Sequence, residues 1–321
     1  MQQATPGNGE AMNVLFHYAA GPDLAARLAV IPGLTISVCA EGDDAALLRL
    51  LPETDVLWHV LQRCTAEMIA AAPRLRLIQK IGVGVNTIDL DAAQGRGIPV
   101  CNLPGTNARA VAEMTLALML ASLRRLPRFD AGMRRGVWSD PLLQDGLGEL
   151  GGRTVGLVGY GAIPRLLAPI LAAMGCRLLY TTRTPTPDAV GDWRNLPDLL
   201  AEADIVSLHL PLTAETTNLI DGAALARMKP GAVLINTARG GLVDQAALTE
   251  ALCSGRLAAA GLDVFEAEPP DFGAPLLRLP NVVLSPHIAW LTTGTFDRSF
   301  ALAAENCRRL SAGEALLHRV V

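Results

Sequence analysis

Residues 152–184 read GRTVGLVGYGAIPRLLAPILAAMGCRLLYTTRT, and the way this stretch divides decides the fold. Thr154–Val158 is a short apolar run with β-branched residues, Gly159-Tyr160-Gly161-Ala162-Ile163 is a turn, and 165–174 has helical composition. Gly175 then stops the helix ahead of Leu178-Leu179-Tyr180. The result is one βαβ unit whose glycine turn falls where a dinucleotide pyrophosphate would sit. Gly159 permits the sharp turn, and Gly161, without a Cβ, lets the backbone approach a pyrophosphate on the N-terminus of the next helix. Pro164 stands in place of the third fingerprint glycine. In a first helical turn it removes only an N–H that has no intrahelical partner, so the helix survives with looser packing expected on the sheet.

The end of the second strand bears on which dinucleotide. An NAD-preferring site carries an acidic residue about 20 positions on, to accept from the ribose 2′-OH. Here the strand ends Tyr180-Thr181-Thr182-Arg183-Thr184, with no carboxylate. A forked cation among hydroxyl donors suits a 2′-phosphate, so Thr182 and Arg183 predict NADP(H) over NAD(H). The alternative is that Arg183 is an exposed loop cation.

With 321 residues, half of them apolar, the chain is long enough for two domains, and a net charge of −4 supplies no basic field for nucleic acid. Six cysteines, at 39, 64, 101, 176, 253 and 307, form no CxxC pair. That pattern argues for reduced thiols in a cytoplasm and against a zinc cage, and no metal is expected. The opening MQQATPGNGEAMN reads as a polar, disordered lead-in rather than a signal peptide, with folding expected from about Met12. No apolar run approaches the 18 or so residues of a membrane span.

Strand candidates at 14–17, 35–39, 56–58, 77–80 and 99–101 alternate with helical stretches at 22–30, 44–50 and 65–72, the pattern of an α/β domain with a parallel sheet. It lacks a glycine fingerprint. Its Ile81-Gly82-Val83-Gly84 segment directly follows a strand, so successive backbone N–H groups at Val83 and Gly84 could cradle a small carboxylate; taken by itself, a plain strand-to-helix turn is the better reading. The long apolar run 108–126 is expected to bridge domains or pack on a second subunit, and 127–151 to be an extended connection or dimer arm. Strands recur at 205–208, 233–236, 259–262 and 282–284, with helices at 196–203, 222–228 and 244–254, the last capped by Asp244 and stopped by Gly255. The segment 292–310 is helical again and could return to the first domain.

Three residues follow strands of the second domain, where loops at the carboxyl edge of an open sheet form the ligand crevice. They are Arg239 in NTARGG, Glu268 in LDVFEAEP and His287 in SPHIAW. This set suits reduction of a 2-oxo acid. The arginine fork binds the carboxylate and polarises the carbonyl, the imidazole exchanges a proton, and the glutamate orients the ring and stabilises its charged form. Each has a duller reading: a turn cap for His287, a solvated carboxylate for Glu268, a carbonyl bridge for Arg239. His209, also after a strand, is expected to line the cofactor crevice through its backbone more than its ring.

The pieces IGVGVNTID, NLPGTNARAVAE, GGRTVGLVGYGAI, LHLPLTAETTNLI, MKPGAVLINTARGGLVD, AAAGLDVFEAEPP and LSPHIAW, in that order, make the sequence resemble the D-isomer-specific 2-hydroxyacid dehydrogenases. The resemblance implies catalytic roles for Arg239, Glu268 and His287 and carboxylate binding by the amides of Val83 and Gly84. It implies cofactor contacts at Gly159, Gly161, Ala162, Ile163, Leu210, Pro211, Thr216, Thr237, Ala238, Asp263, His287 and Ala289. Met114 stands where a histidine often follows Val-Ala-Glu. The arginine after Thr182, and Trp290, are similar to the NADPH-using glyoxylate and hydroxypyruvate reductases of the family.

The expected architecture is therefore α/β, with two doubly wound parallel sheets. A Rossmann cofactor domain at 104–285 is inserted in a flavodoxin-like substrate domain made of 1–103 and 286–321. The expected protein is a cytoplasmic homodimer, paired through 108–150, that reduces small 2-oxo acids. A nucleotide-sensing corepressor on the same fold is the alternative, disfavoured by the intact Arg239, Glu268 and His287. A methyltransferase is disfavoured by the missing ribose-binding carboxylate.

Overall fold

The computed structural model describes residues 11–321; of the lead-in expected before about Met12, residues 1–10 lie outside the described residues. The chain forms two compact units, one running to Thr106 and taking up Thr293–Val321, the other Asn107–Thr292. The sequence reading changes domain at 103/104 and 285/286. The 286–292 loop stays with the second unit because Ile288 and Ala289 donate their N–H groups to Asp263 there.

The first unit alternates β1 (Met12–His17), α1 (Pro22–Ala29), β2 (Leu34–Cys39), α2 (Asp44–Leu50), β3 (Val56–His59), α3 (Ala66–Ala70), β4 (Leu77–Lys80), α4 (Leu90–Gly95) and β5 (Val100–Cys101). All five strands are parallel, in the flavodoxin-like order β2-β1-β3-β4-β5. β3 and β4 are buried throughout, as strands covered on both faces must be. Asp43, Thr65 and Asp89 accept from the N–H groups of Ala46, Met68 and Ala92, satisfying donors that a helix start leaves without partners.

The second unit opens with α5 (Ala108–Arg124), α6 (Leu126–Arg134) and α7 (Pro141–Gln144). Then follow β6 (Thr154–Val158), α8 (Ala162–Ala173), β7 (Arg177–Thr181), β8 (Asp192–Trp193), α9 (Leu196–Glu202) and β9 (Ile205–Leu208). The unit ends with α10 (Gly222–Arg227), β10 (Ala232–Asn236), α11 (Gln245–Cys253), β11 (Leu257–Leu262) and β12 (Val282–Leu284). Seven parallel strands lie in the order β12-β11-β10-β9-β6-β7-β8, the doubly wound Rossmann arrangement with one strand added. The order reverses between β6 and β9, beside the glycine turn.

Much of the apolar run 108–126 is covered within its own unit: Leu118, Met119 and Leu123 of α5 join Val155, Leu157, Leu167, Ile205 and Ile235 in one apolar layer. One expectation is corrected here: 127–151 is not an extended connection, because it carries most of α6 and all of α7. Arg125 adopts a left-handed φ of 51°, which ends α5, and Pro127 fits the first turn of α6, where its missing N–H has no intrahelical partner. α8 begins at Ala162, earlier than its composition suggested, with Pro164 buried in its first turn. β8, a two-residue exposed strand, carries too little pattern to be read in sequence. The final helix, α12 (Thr293–Ala312), belongs to the first unit, where Phe296 and Phe300 pack around Phe16 and Trp58. Among the described residues no helix is long and apolar enough to cross a membrane.

Candidate active site

The glycine turn is pressed close to the loop after β9. Gly159 has φ 97°, and a Cβ there would lie 2.6 Å from the His209 carbonyl oxygen and 3.0 Å from Leu210 Cδ2, so only glycine lets the two loops meet. Gly161 is the N-cap of α8 and makes no side-chain cap; space around its missing Cβ is open, and Gly161 and Ala162 are exposed. Uncapped N–H groups at the carboxyl end of β6, beside the switch point, fit a bound pyrophosphate.

Neighbouring positions are held by the protein itself. Thr216 Oγ1 donates to Pro211 O at 2.8 Å and accepts from Thr213 N–H, so it shapes the loop carrying Leu210 and Pro211. Thr115 Oγ1 spends its proton on Val111 O, so the 2.9 Å contact between Thr115 and Thr237 has the Thr237 hydroxyl as donor, turned back toward α5. At the end of β7, Thr182 Oγ1 donates to Thr184 O, and Arg183 Nη2 donates to Glu215 Oε2 at 2.9 Å. Both members of that ion pair are exposed, 90% and 75%, so it is a weak, exchangeable contact. The His209 ring is buried, with Nε2 at 2.9 Å from Ser207 Oγ and Nδ1 without a partner; burial pushes its pKa down to about 3.

His287, Glu268 and Arg239 meet in the second unit. His287 Nδ1 lies 2.6 Å from Glu268 Oε2, and Glu268 Oε1 accepts from Phe265 N–H at 3.0 Å. Burial pushes the Glu268 carboxyl up, but the bonds from His287 and Phe265 and the Arg239 charge outweigh it, leaving the group below its ordinary range. An ionised Glu268 only accepts, so Nδ1 carries the proton and Nε2 is left for exchange with a substrate. Burial lowers the Arg239 pKa and the Glu268 charge opposes that shift; one guanidinium nitrogen donates to the Ala238 carbonyl at 2.6 Å.

Two residues build this meeting point. At Gly240 an added Cβ would lie 1.9 Å from the Phe265 carbonyl carbon, so the chain after Arg239 runs directly against the strand-end loop that carries Glu268. Asp263, fully buried, accepts from Ser285 Oγ (2.6 Å), Ile288 N–H (2.9 Å) and Ala289 N–H (2.8 Å) and so ties down the histidine loop. Burial raises its pKa against the pull of those bonds. The sequence reading marked Asp263 and Ala289 as cofactor contacts; here they hold each other. Gly240, Thr115 and Glu215 were not singled out in sequence, because only contacts with residues remote in the chain give them a role. Trp290 is buried and donates from Nε1 to the His287 carbonyl, buttressing the same loop.

In the first unit the turn after β4 carries Val83 and Gly84. Gly82 has φ 148°, Val83 O accepts from Asn102 Nδ2, and neither the Val83 nor the Gly84 N–H donates to another described residue. Among the described residues no group of three or more His, Cys, Asp or Glu side chains is arranged to hold a metal ion.

An open parallel sheet with a glycine turn at its switch point places the second unit among dinucleotide-binding α/β proteins. A family model described as D-isomer specific 2-hydroxyacid dehydrogenase, NAD binding domain, matches residues 116–289. The chain belongs to that family. It is 42% identical over 279 residues to D-3-phosphoglycerate dehydrogenase of Mycobacterium bovis, covering 85% of this chain and 52% of that protein. It is 41% identical to glyoxylate reductase of Aeropyrum pernix, covering 84% and 83%. Among solved structures, the TT0316 protein of Thermus thermophilus superposes with a TM-score of 0.86 at 40% identity, covering 97% of this chain and 100% of that one. The chain spans about half the length of the phosphoglycerate dehydrogenases it matches.

Proposed function

We propose that this chain is an oxidoreductase that moves a hydride between NADP(H) and a small 2-oxo or 2-hydroxy acid, of glyoxylate or hydroxypyruvate type and D-specific, with NAD(H) usable but less favoured. The observation that carries this reading is the 2.6 Å contact of His287 Nδ1 with Glu268 Oε2, with Arg239 close enough for its charge to lower the Glu268 pKa. Arg239 grips the substrate carboxylate and polarises the carbonyl, with the Val83 and Gly84 amides as further donors. His287 Nε2 gives a proton to the carbonyl oxygen in reduction and takes it back in oxidation. Glu268 holds the ring and stabilises it while protonated. Nicotinamide, when bound, supplies or accepts the hydride.

The cofactor contacts in this reading are Gly159, Gly161, Ala162, Ile163, Leu210, Pro211, Thr216, Thr237, Ala238, Asp263, His287 and Ala289, with Thr182 and Arg183 at the 2′-phosphate. Support for NADP(H) is the lack of a carboxylate at the end of β7 and the weak, exposed partnership of Arg183, which a phosphate can displace. Oxidation of NADPH and NADH is to be followed with glyoxylate, hydroxypyruvate and the 2-oxo acid derived from 3-phosphoglycerate. No turnover with any of them overturns the reading, and a preference for the phosphorylated acid redirects its substrate. Arg183→Ala should lower kcat/KM for NADPH about 10- to 100-fold and leave NADH nearly unchanged, since a forked charge-assisted contact is lost only with the phosphate. Equal losses for both cofactors remove the phosphate role.

The same reading includes a homodimer through 108–150 and a cytoplasmic setting, the latter supported by six free thiols. For the dimer the support is the exposed apolar surface of this stretch, with Trp138 85% and Leu142 87% exposed beside Leu126 and Met133. Sedimentation should give twice the chain mass, falling to one in a Trp138→Ala, Leu142→Ala double variant; a monomeric wild type removes this part.

A further inference from the structure

The carboxyl edge of the first sheet carries a buried basic row that nothing above uses. The register pairs His17 of β1 with His59 of β3, and His59 with Lys80 of β4, each the last residue of its strand. Residues paired in a parallel sheet project from the same face. Two residues earlier on that face stand Leu15, Leu57 and Ile78, which belong to one aliphatic layer with Leu47 of α2, Ile69 of α3 and Ala93 of α4. The layer thus turns from aliphatic to basic at its final rung, and all three basic side chains are buried.

Hydrogen bonding assigns the charge within the row. His59 Nε2 faces the Gln62 carbonyl, which can only accept, so that nitrogen carries the ring proton. Its Nδ1 then offers a lone pair to Lys80 Nζ at 3.5 Å, and Lys80 also donates to the Val60 carbonyl. Burial and the Lys80 charge together push the His59 pKa well down, and burial lowers that of His17, so neither ring adds a cation to the row. An apolar side chain of the same length would fill this place without the cost of desolvating a charge, which marks Lys80 as a candidate for function.

Directly after Lys80 the chain turns. Ile81 N–H donates to His59 O, and a Cβ on Gly82 would sit 3.5 Å from Lys80 Cε, so the lysine stem lies against the turn that presents the Val83 and Gly84 amides.

We propose that Lys80, held by His59 and the Val60 carbonyl, is a positioning residue for substrate binding: it backs the Gly82–Gly84 turn and adds positive potential to the amides that take the substrate carboxylate. This rests on the proposed role of Val83 and Gly84. At the same place an apolar residue would leave only the amide dipoles to hold the anion. A charge acting through a partly desolvated turn changes anion affinity and leaves proton and hydride exchange alone.

The test uses the full chain, with glyoxylate as substrate and oxalate as a non-reacting anion measured by calorimetry. Lys80→Met should raise the glyoxylate KM and the oxalate Kd about tenfold, the scale of one displaced charge interaction, with kcat within about twofold and NADPH affinity unchanged. Lys80→Arg should recover most of the affinity. Lys80→Gln, which keeps a donor without charge, should behave as Lys80→Met and serves if the methionine variant does not fold. Unchanged oxalate affinity in the uncharged variants overturns the proposal, as does a loss that arginine fails to rescue. A wild type that binds oxalate but turns over no 2-oxo acid removes the reductase reading and leaves the comparison of oxalate affinities decisive for Lys80.

Discussion

His287 holds a left-handed φ of 53°, a conformation that a side chain with a Cβ adopts at a cost. The surroundings impose it: His287 N–H donates to Asp263 O at 2.7 Å, the next two amides are taken by the Asp263 carboxylate, and Trp290 donates to the His287 carbonyl. The ring is thereby aimed at Glu268. Glu268→Gln preserves the size and an acceptor oxygen but removes the charge that favours a protonated ring. The expected result is a reduction rate lower by about 10- to 100-fold with substrate affinity little changed. A rate within about twofold of the wild type removes the role assigned to Glu268.

Among elements, the strand-end loops matter more than the strands. Gly240 allows the loop after β10 to run against the loop after β11, and the 1.9 Å approach of a hypothetical Cβ to the Phe265 carbonyl carbon leaves that backbone no room. Gly240→Ala should destabilise by about 1–3 kcal/mol as an overpacked contact, seen as a lower urea midpoint. It should also cost on the order of 100-fold in turnover, because displacement by an ångström is enough to spoil the geometry. Near wild-type turnover would mean that the two loops separate without consequence. α5 shows how an element's own pattern can mislead: its apolar surface was legible, but which surface would cover it depended on the sheet folding beneath it.

For the molecule as a whole, buried histidines contribute to the response to acid. His209 has a pKa of about 3 when folded and takes up a proton near pH 6.5 when unfolded. The unfolded chain therefore binds more protons between those values, so the stability is complete above about pH 6.5 and is lost as pH falls toward 3, by up to about 1.4 kcal/mol per pH unit for one such group. His59, depressed in the same direction, adds to the loss. His209→Gln should flatten the fall in urea midpoint between about pH 6.5 and 4; an unchanged slope would assign the acid sensitivity to other groups.

By itself the sequence determined the two α/β sheets, the glycine turn at 159–161, and the three residues at 239, 268 and 287, because periodicity, turn chemistry and residue type are local properties of the chain. Tertiary structure alone decided that Asp263 braces the histidine loop, that Gly240 brings Arg239 to Glu268, that Arg183 rests on Glu215, and that His17, His59 and Lys80 share one rung. Each of these joins residues from different strands or loops. Such neighbours are chosen by strand order and register, and those follow from the packing of the folded chain rather than from any stretch of it.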